Sequence, residues 1–424
     1  MIGGDIIIKD FKKQRLKSNG DVVLFHNTKE TKSVSFFLVL NLMCKAGIAT
    51  NPYLVGEAFF AGTIQTVIYV VCLLLLNELS FFLFIKSWIY GRAYSYDSIC
   101  TELFGPHFSW LVLLGVIIIY LTFVIWTEYE IYAYLGEFIL SLWPNAPSIL
   151  NNQWFITYIL TFVVVFPTLF VKKLSSFAYM ALASNIFHVI VLALLITYYF
   201  KYIYNVPGAF QNEIIYFSSN PSSSFTCISI LNNALFYQPV LATLIKDLDN
   251  PTRKRTMKLT WLTSIISVSF HFIGGFFSYI CSPINNGDIS LIFLNPKAPE
   301  IIAGKILVYM ISLFSNIFFT NFISHQLAKL IDPVAIDSTI PVVFSGIVIL
   351  LLSIGLNFVN EMITTITDYI ANVACIILVF VLPPLYYLKQ YGFSDKLWGA
   401  ASVVLMAIGI PVGLLTLYYG LDDF

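Results

Sequence analysis

Two apolar segments of the chain are interrupted by polar residues, glycine and proline. One reads Asn41-Leu-Met-Cys-Lys-Ala-Gly-Ile-Ala-Thr-Asn-Pro52-Tyr53, and the other reads Ile230-Leu-Asn-Asn-Ala-Leu-Phe-Tyr-Gln-Pro239. Gly and Pro weaken a helix, and an unwound backbone frees N–H and C=O groups that can hydrogen-bond a ligand instead of facing lipid. Either segment alone is also explained by a kink or a packing notch. Together they predict a site that binds a small molecule through peptide groups.

Two charged residues, Lys45 and Glu78, lie deep within apolar segments. Lys45 is eleven residues beyond Val34, which is about 16 Å at the helical rise, so its side chain does not easily reach water. Glu78 is eight residues before Lys86, about 12 Å deep by the same measure. We predict that Lys45 takes the place of a bound cation, pairs with Glu78 at similar depth and, as a buried lysine, can release its proton. A static pair that only offsets burial, or a Lys45 neutralised by water in a cavity, is the alternative.

Residues typical of enzymes and metal sites do not cluster. The chain has no HExxH or GxSxG motif and no Gly-rich phosphate loop. Its five histidines lie far apart, at His26, His107, His188, His271 and His325. The six cysteines form no CxxC pair, and a Cys227–Cys281 bond is a minor alternative to burial as free thiols. We therefore expect no enzyme, no metal site, no cofactor and no ATP-driven pump.

The composition excludes a soluble protein. Of the 424 residues, 58% are apolar and 11% are charged, whereas an ordinary globular chain has about 25% charged residues. Lys and Arg number 23, as do Asp and Glu, so a basic face for nucleic acid is not expected. The sequence predicts an all-α polytopic membrane protein.

Eleven segments are apolar over enough residues to cross a hydrocarbon core of about 30 Å. They cover approximately 34–57, 60–85, 109–135, 154–171, 177–200, 224–245, 257–281, 300–325, 341–358, 365–388 and 397–418. If the N-terminus is cytosolic, 19 of the 23 basic residues fall in the tail or in cytosolic loops, as the positive-inside rule requires. We expect a cytosolic N-terminus without a cleavable signal and an extracellular or lumenal C-terminus.

The two interrupted spans are the first and the sixth. This period of five predicts two inverted five-helix repeats, and paired broken helices indicate the midplane binding site of a secondary transporter. The predicted units are a cytosolic tail at 1–33, repeats at 34–200 and 224–388, and an additional helix at 397–418. A channel is less consistent with the sequence, because no filter-like repeat is present.

Four motifs resemble the amino acid/auxin permease family, which belongs to the amino acid–polyamine–organocation superfamily. They occur in the family's order over residues 34–281, and the match fades beyond them. The motifs are Asn41 with Ala46-Gly47-Ile48 and Asn51-Pro52-Tyr53; Ser95-Tyr96-Asp97 with Phe104-Gly105-Pro106; Lys173-Leu-Ser-Ser-Phe-Ala-Tyr179; and Phe236-Tyr-Gln-Pro239 with Asp247-Leu-Asp-Asn-Pro251. The resemblance implies a LeuT-like 5+5 inverted repeat with one extra helix that transports amino acids by alternating access.

An amino acid brings a carboxylate and an ammonium group into the site. Half-helix N-termini suit the carboxylate and half-helix carbonyls suit the amine, so no charged side chain is required. With the resemblance, this chemistry assigns the carboxylate to the first broken span and the amine and α-carbon region to the sixth. The expected substrate-binding residues are Asn41, Ala46, Gly47, Ile48 and Ala49 in the first span, Asn232, Asn233 and Ala234 in the sixth, and Tyr120, Phe236 and Tyr237 as walls or gates.

The coupling ion is the least determined feature. In sodium-dependent family members the ion lies between the first broken helix and hydroxyls of the eighth, where this chain has Ser312 and Ser315 on one helix face. The first Gly of the family's Gly-x-Gly is Lys45 here, and its ammonium would occupy the place of sodium. Proton-coupled or uncoupled transport is therefore expected, with sodium symport as an alternative.

An amino-acid-sensing receptor of the same fold, a transceptor, is a further alternative. The expected partners are an amino-acid substrate and the lipid bilayer. The basic tail is interpreted as solvated or lipid-bound, and a protein-binding tail remains open. The sequence does not distinguish the plasma membrane from a vacuolar or lysosomal membrane.

Overall fold

The computed structural model describes residues 17–18, 21–22, 34–48, 54–89, 93–152, 155, 159, 161–204, 214–249, 251–281, 294–295, 297–331, 339–358 and 361–421. Apart from the hairpin β1 (Lys17–Ser18) and β2 (Asp21–Val22), regular structure in these ranges is helical. The α-helices are α1 (Phe36–Gly47), α2 (Thr63–Lys86), α3 (Tyr96–Phe104), α4 (Pro106–Leu142), α5 (Phe162–Val165), α6 (Ala178–Tyr198), α7 (Pro221–Ala234), α8 (Gln238–Leu244), α9 (Arg253–Cys281), α10 (Pro299–Ile331), α11 (Thr339–Phe358), α12 (Glu361–Ile376), α13 (Leu382–Tyr391) and α14 (Lys396–Leu421).

Nine helical segments in the described ranges are long and apolar enough to cross a membrane. Each corresponds to one predicted span. Because α7 and α8 lie end to end, they count as one segment, Pro221–Asp247. The protein is thus a multi-pass membrane protein, as its composition predicted.

The first and fourth predicted spans are described as shorter pieces. α1 has 12 residues, about 18 Å of helix, and a 3₁₀ helix follows at Leu54–Ala61. Residues 49–53 lie outside the described part of the chain. In the fourth predicted span, α5 continues as a 3₁₀ helix over Phe166–Phe170. The count of eleven spans therefore stays a prediction.

The centre of the bundle is built on α4 and α10, which pack against each other along much of their length. α1 packs against α6 and α9. The large buried side chains are mostly aromatic, with Tyr120, Phe318 and Tyr237 all less than 2% exposed. α2 shows the opposite pattern on its outer face, where Ile68, Val71 and Leu75 are exposed at helical spacing. Such an apolar surface is stable in lipid and not in water.

A short main-chain contact connects the start of α1 to the end of α8. The Val34 amide donates to the Asp247 carbonyl at 2.7 Å, and the Asp249 amide donates to the Val34 carbonyl at 2.9 Å. These bonds hold the two interrupted segments side by side at one membrane face.

All six cysteines are free thiols. Cys227 is buried with its sulfur 3.9 Å from the Thr66 hydroxyl. The Cys227–Cys281 disulfide considered from the sequence is therefore absent, and burial as small apolar groups accounts for both residues.

Candidate functional site

Both interrupted segments break where the sequence predicted. α1 ends at Gly47, and Ile48 leaves the helical region with φ −108° and ψ 36°. α7 ends at Ala234, and α8 begins at Gln238, with Pro239 in its first turn. Proline has no N–H and is tolerated in the first turn of a helix, which places the start of the second half-helix here. Each break leaves peptide groups without their helical partners.

Gly47 is the point where the two broken segments and α9 meet. A Cβ added at Gly47 would lie 2.4 Å from the Ser267 Oγ of α9 and 3.3 Å from the Tyr237 ring. No side chain fits there without displacing a neighbour. Ser267 is fully buried, and its hydroxyl has no hydrogen-bond partner among the described residues. An unpaired buried hydroxyl next to a helix break is a feature expected of a ligand site.

Tyr120 forms a wall of this region from α4. Its ring centroid lies 5.9 Å from that of Phe236, 5.5 Å from Phe319 and 4.7 Å from Phe322. The Tyr120 side chain is fully buried, and within the described structure its hydroxyl makes no hydrogen bond. The sequence predicted Tyr120 and Phe236 as wall residues and missed the two phenylalanines of α10. Because aromatic residues are abundant throughout the chain, nothing in the sequence distinguished these two phenylalanines from the others.

The remaining predicted residues of the first span have different surroundings. Ala46 and Ile48 are each 1% exposed, and Ala49 lies outside the described residues. The Asn41 side chain donates to the Phe37 carbonyl at 2.8 Å and accepts from Asn185 Nδ2 at 3.2 Å. Asn41 thus joins α1 to α6, nearly two turns before the break.

The predicted amine-binding residues of the sixth span do not all lie with Gly47. Asn232 Nδ2 donates to Cys375 Sγ of α12 at 3.3 Å, and Asn232 lines a small pocket with Ser229, Asn372 and Thr416. That pocket lies between α7, α12 and α14. Asn233 is half-buried and Ala234 is buried, and the Asn233 carbonyl accepts from the Phe236 amide at 3.2 Å.

Two consecutive residues of α2 support the break in the sixth span. Asn77 Nδ2 donates to the Leu235 carbonyl, the last peptide group before the break, at 3.0 Å. Glu78 accepts hydrogen bonds from the Ser264 and Thr260 hydroxyls of α9. Ser264 is also hydrogen-bonded to the Tyr237 hydroxyl. A buried polar network of this kind fixes the geometry of an unwound segment.

Lys45 does not pair with Glu78, which corrects the sequence-based expectation. The fully buried Lys45 Nζ donates to the Ile311 carbonyl of α10 at 3.2 Å. The next residue of α10, Ser312, donates to Glu130 of α4, so Lys45 and Glu130 are bound to adjacent residues of α10. The depth of a residue along a helix does not determine to which side of the helix axis its side chain points. α1 turns Lys45 toward α4 and α10, whereas α2 turns Glu78 toward α9.

The predicted hydroxyls of the eighth span bond groups next to this ammonium group. Ser312 donates to Glu130 Oε2 at 2.5 Å, and Ser315 donates to the same Ile311 carbonyl that accepts from Lys45, at 2.9 Å. Glu130 was not singled out from the sequence. Its signal was available, since an acidic residue inside an apolar helix is rare and costly.

No group of three or more His, Cys, Asp or Glu residues that could hold a metal ion occurs in the part of the chain that the structure describes.

Comparisons with known proteins identify the family and the fold of the chain. A family model described as "Transmembrane amino acid transporter protein" matches residues 29–422. No curated protein matches the chain by sequence.

Solved structures share its fold at low identity. The structure of MhsT in complex with L-phenylalanine is 14% identical, with a TM-score of 0.63, over 93% of this chain and 100% of MhsT. The closed conformation of Mhp1, a nucleobase-cation-symport-1 family transporter, is 12% identical, with a TM-score of 0.53, over 94% of each chain. The manganese transporter of Eremococcus coleocola is 11% identical, with a TM-score of 0.54, over 94% of this chain and 100% of that one. The fold is LeuT-like.

Proposed function

Because the chain belongs to the transmembrane amino acid transporter family, we propose that it is a secondary active transporter that moves amino acids by alternating access. Membrane transport of amino acids follows from the family and from the LeuT-like fold, and the protein is not an enzyme. The proposed architecture has eleven spans, with two inverted five-helix repeats at 34–200 and 224–388 and an extra helix at 397–418. Alternating access then rests on movement of one repeat relative to the other.

The meeting of both broken segments at Gly47 carries this proposal. The substrate carboxylate binds at the break of α1 beside Ala46, Gly47, Ile48 and Ala49, where a Cβ at Gly47 would collide with Ser267 Oγ. The Ile48 amide is not available to it, because that amide donates to the Cys44 carbonyl. The amine binds carbonyls at the end of α7 near Asn233 and Ala234. The unpaired hydroxyls of Ser267 and Tyr120 supply polar contacts from two further helices. The Asn232 pocket is then a neighbouring region, outside the peptide groups that bind the zwitterion.

Transport is coupled to protons or uncoupled, with sodium symport as the alternative. Lys45 supports a sodium-independent site, since its ammonium lies on the Ile311 carbonyl beside Ser312 and Ser315. A positive charge at this position repels a sodium ion and so disfavours its binding. No cofactor is required by this mechanism.

The proposed orientation has a cytosolic N-terminus and an extracellular or lumenal C-terminus, in a plasma membrane or a vacuolar or lysosomal membrane. The distribution of basic residues supports it. In this orientation the basic tail at 1–33 is cytosolic, and it is either solvated or bound to the lipid surface.

The test is uptake of a panel of radiolabelled amino acids into proteoliposomes that contain the purified protein. Counterflow, in which internal unlabelled substrate drives entry of label, reports transport without any ion gradient. Proton and sodium gradients are then imposed one at a time. Binding without counterflow for every amino acid tested would contradict a transporter and support the transceptor alternative.

A further inference from the structure

A row of polar pairs crosses the apolar interface between α4 and α10. Thr127 Oγ1 accepts from Asn316 Nδ2 at 3.1 Å, and Glu130 accepts from the Ser312 hydroxyl at 2.5 Å. Two turns further along α4, Lys305 Nζ lies 3.2 Å from Glu137 Oε2. Residue numbers rise along α4 as they fall along α10, so the helices are antiparallel and the pairs lie in one row. The apolar packing of Tyr134, Val308 and Ile311 separates the last two pairs. We call this row the polar seam.

The polar seam runs from an exposed end to a buried one. The Glu137 side chain is 40% exposed, whereas the Lys305 side chain is fully buried. Glu130 is 7% exposed and lies seven residues from Glu137, about 10 Å along the helix. In the proposed orientation, the exposed end faces the extracellular or lumenal side. Water therefore reaches the polar seam at Glu137, and Glu130 lies inward of the apolar packing around Tyr134.

Glu130 and Lys45 are bound to adjacent residues of α10. Ser312 donates to Glu130, and the Ile311 carbonyl accepts from Lys45 Nζ. The titratable groups on the helices packed against α1 are His188 of α6 and His271 of α9, which are both buried, and the His271 ring Nδ1 lies 2.7 Å from the Ser267 carbonyl. From α10 the facing group is Ser312, with Lys305 further outward. Glu128, two residues earlier on α4, points elsewhere and accepts from Ser353 of α11 at 2.8 Å.

We propose that Glu130 is the carboxylate that binds and releases the coupling proton, with Lys45 as its fixed counter-charge. The proposal rests on the proposed function and names the group that couples it. A proton from water at the exposed end of the polar seam adds to the ionised carboxylate, and the same proton later leaves to water on the cytosolic side. Lys45 keeps its own proton throughout, so one proton crosses per cycle and no other bond changes.

The position of Lys45 connects this proton to the substrate site. Lys45 is two residues before Gly47, where α1 unwinds. An ionised Glu130 attracts the ammonium group and holds the end of α1 toward α4, whereas a protonated Glu130 leaves Lys45 on the Ile311 carbonyl. The charge on Glu130 thereby sets the position of the peptide groups that bind the substrate. Glu78 has a different task in this scheme, since it supports the break at Tyr237.

The experiment compares Glu130→Gln with Glu128→Gln in proteoliposomes. Both substitutions remove an acidic group of α4 at nearly the same depth and keep the size of the side chain. We expect Glu130→Gln to lower proton-gradient-driven accumulation at least tenfold, whereas counterflow should remain measurable because glutamine resembles the protonated carboxyl group. Glu128→Gln should retain both activities. A pH-sensitive dye inside the vesicles should report substrate-induced proton entry for wild type and Glu128→Gln, and none for Glu130→Gln.

Ser312→Ala provides a second variant should Glu130→Gln fail to fold. The ionised Glu130 carboxylate loses a hydrogen bond that favours it, so the pH of half-maximal driven uptake should rise by about one unit. An unchanged pH profile would overturn the proposal. Driven accumulation and proton entry at wild-type levels in Glu130→Gln would also overturn it, as would a wild type driven by sodium alone or by no gradient. Absence of counterflow in wild type contradicts instead the proposed function.

Discussion

At the scale of single residues, the candidate site combines a glycine that has no room for a side chain with two buried hydroxyl groups. Gly47 has no room for a methyl group, and the hydroxyls of Ser267 and Tyr120 are buried without partners in the described structure. Close packing and unpaired polar atoms rarely occur together unless a ligand completes the arrangement. Two predictions belong at this scale.

We expect Gly47→Ala to abolish transport. The new Cβ would lie 2.4 Å from Ser267 Oγ and would displace either α9 or the end of α1. Gly115→Ala is the matched control, because its Cβ would meet Ala374 at an ordinary 3.8 Å. Counterflow and thermal stability in detergent are the measurements. Adding Ser267→Gly should restore part of the activity, and full activity in Gly47→Ala alone would place the substrate elsewhere.

Tyr120→Phe should raise the KM for substrate several-fold without lowering stability. The substitution removes a hydroxyl that has no protein partner among the described residues, so only a bond to the substrate is lost. Tyr386→Phe is the control, because its hydroxyl donates to the Tyr96 carbonyl at 3.0 Å. That variant should lose about 1 kcal/mol of stability with an unchanged KM. Identical KM values for Tyr120→Phe and wild type would remove Tyr120 from the site.

At the scale of helices, the break between α7 and α8 depends on a neighbouring helix that replaces the missing helical hydrogen bonds. Asn77 serves the break between α7 and α8, since its amide donates to the Leu235 carbonyl and its side-chain oxygen accepts from Gln238 Nε2 at 3.1 Å. Gln238 also accepts from the Tyr96 hydroxyl of α3. The geometry of the sixth span is therefore set by α2 and α3 as much as by its own Pro239.

Asn77→Ala should destabilise the protein and slow transport together. A buried carbonyl and a buried amide each lose a partner, at about 1–3 kcal/mol for each group. Thr197→Ala on α6 is the control, because the exposed Thr197 hydroxyl bonds only its own helix, at the Ala193 carbonyl. Thermal unfolding in detergent and initial uptake rates are the measurements. A wild-type melting temperature in Asn77→Ala would show that the break is stable without α2.

At the scale of the whole molecule, the exposed apolar side chains and the nine long apolar helices of the described ranges require a bilayer. The bilayer also makes buried charges expensive, so Lys45 and Glu130 near the centre of the bundle indicate a function and not a stabilising device. The orientation of the chain in that bilayer can be measured by labelling single cysteines from each side of the membrane.

Single cysteines at Lys297 and Lys389 should be labelled from opposite sides of the membrane. Both lysines are exposed, one before α10 and one near the end of α13. Each cysteine is introduced into a variant that has no other cysteine. A membrane-impermeant maleimide that reaches only the extracellular or lumenal side should label Lys297→Cys. Lys389→Cys should react only after the cytosolic side is opened. The reverse labelling pattern would invert the proposed topology.

The sequence by itself determined the membrane class, the all-helical fold, the family and the positions of both helix breaks. Each rests on local properties: apolar length, residue order, and the conformational limits of Gly47 and Pro239.

Only the tertiary structure decided which side chains meet. Rotation about a helix axis is invisible in a uniformly apolar helix, because lipid-facing and buried positions then have similar residues. For this reason the sequence paired Lys45 with Glu78, whereas packing of α1 against its neighbours directs Lys45 to the Ile311 carbonyl, next to the residue that bonds Glu130. For the same reason the sequence did not identify Ser267 as a site residue. Its role depends on the packing of α9 against Gly47, and Ser267 follows Gly47 by 220 residues in the chain.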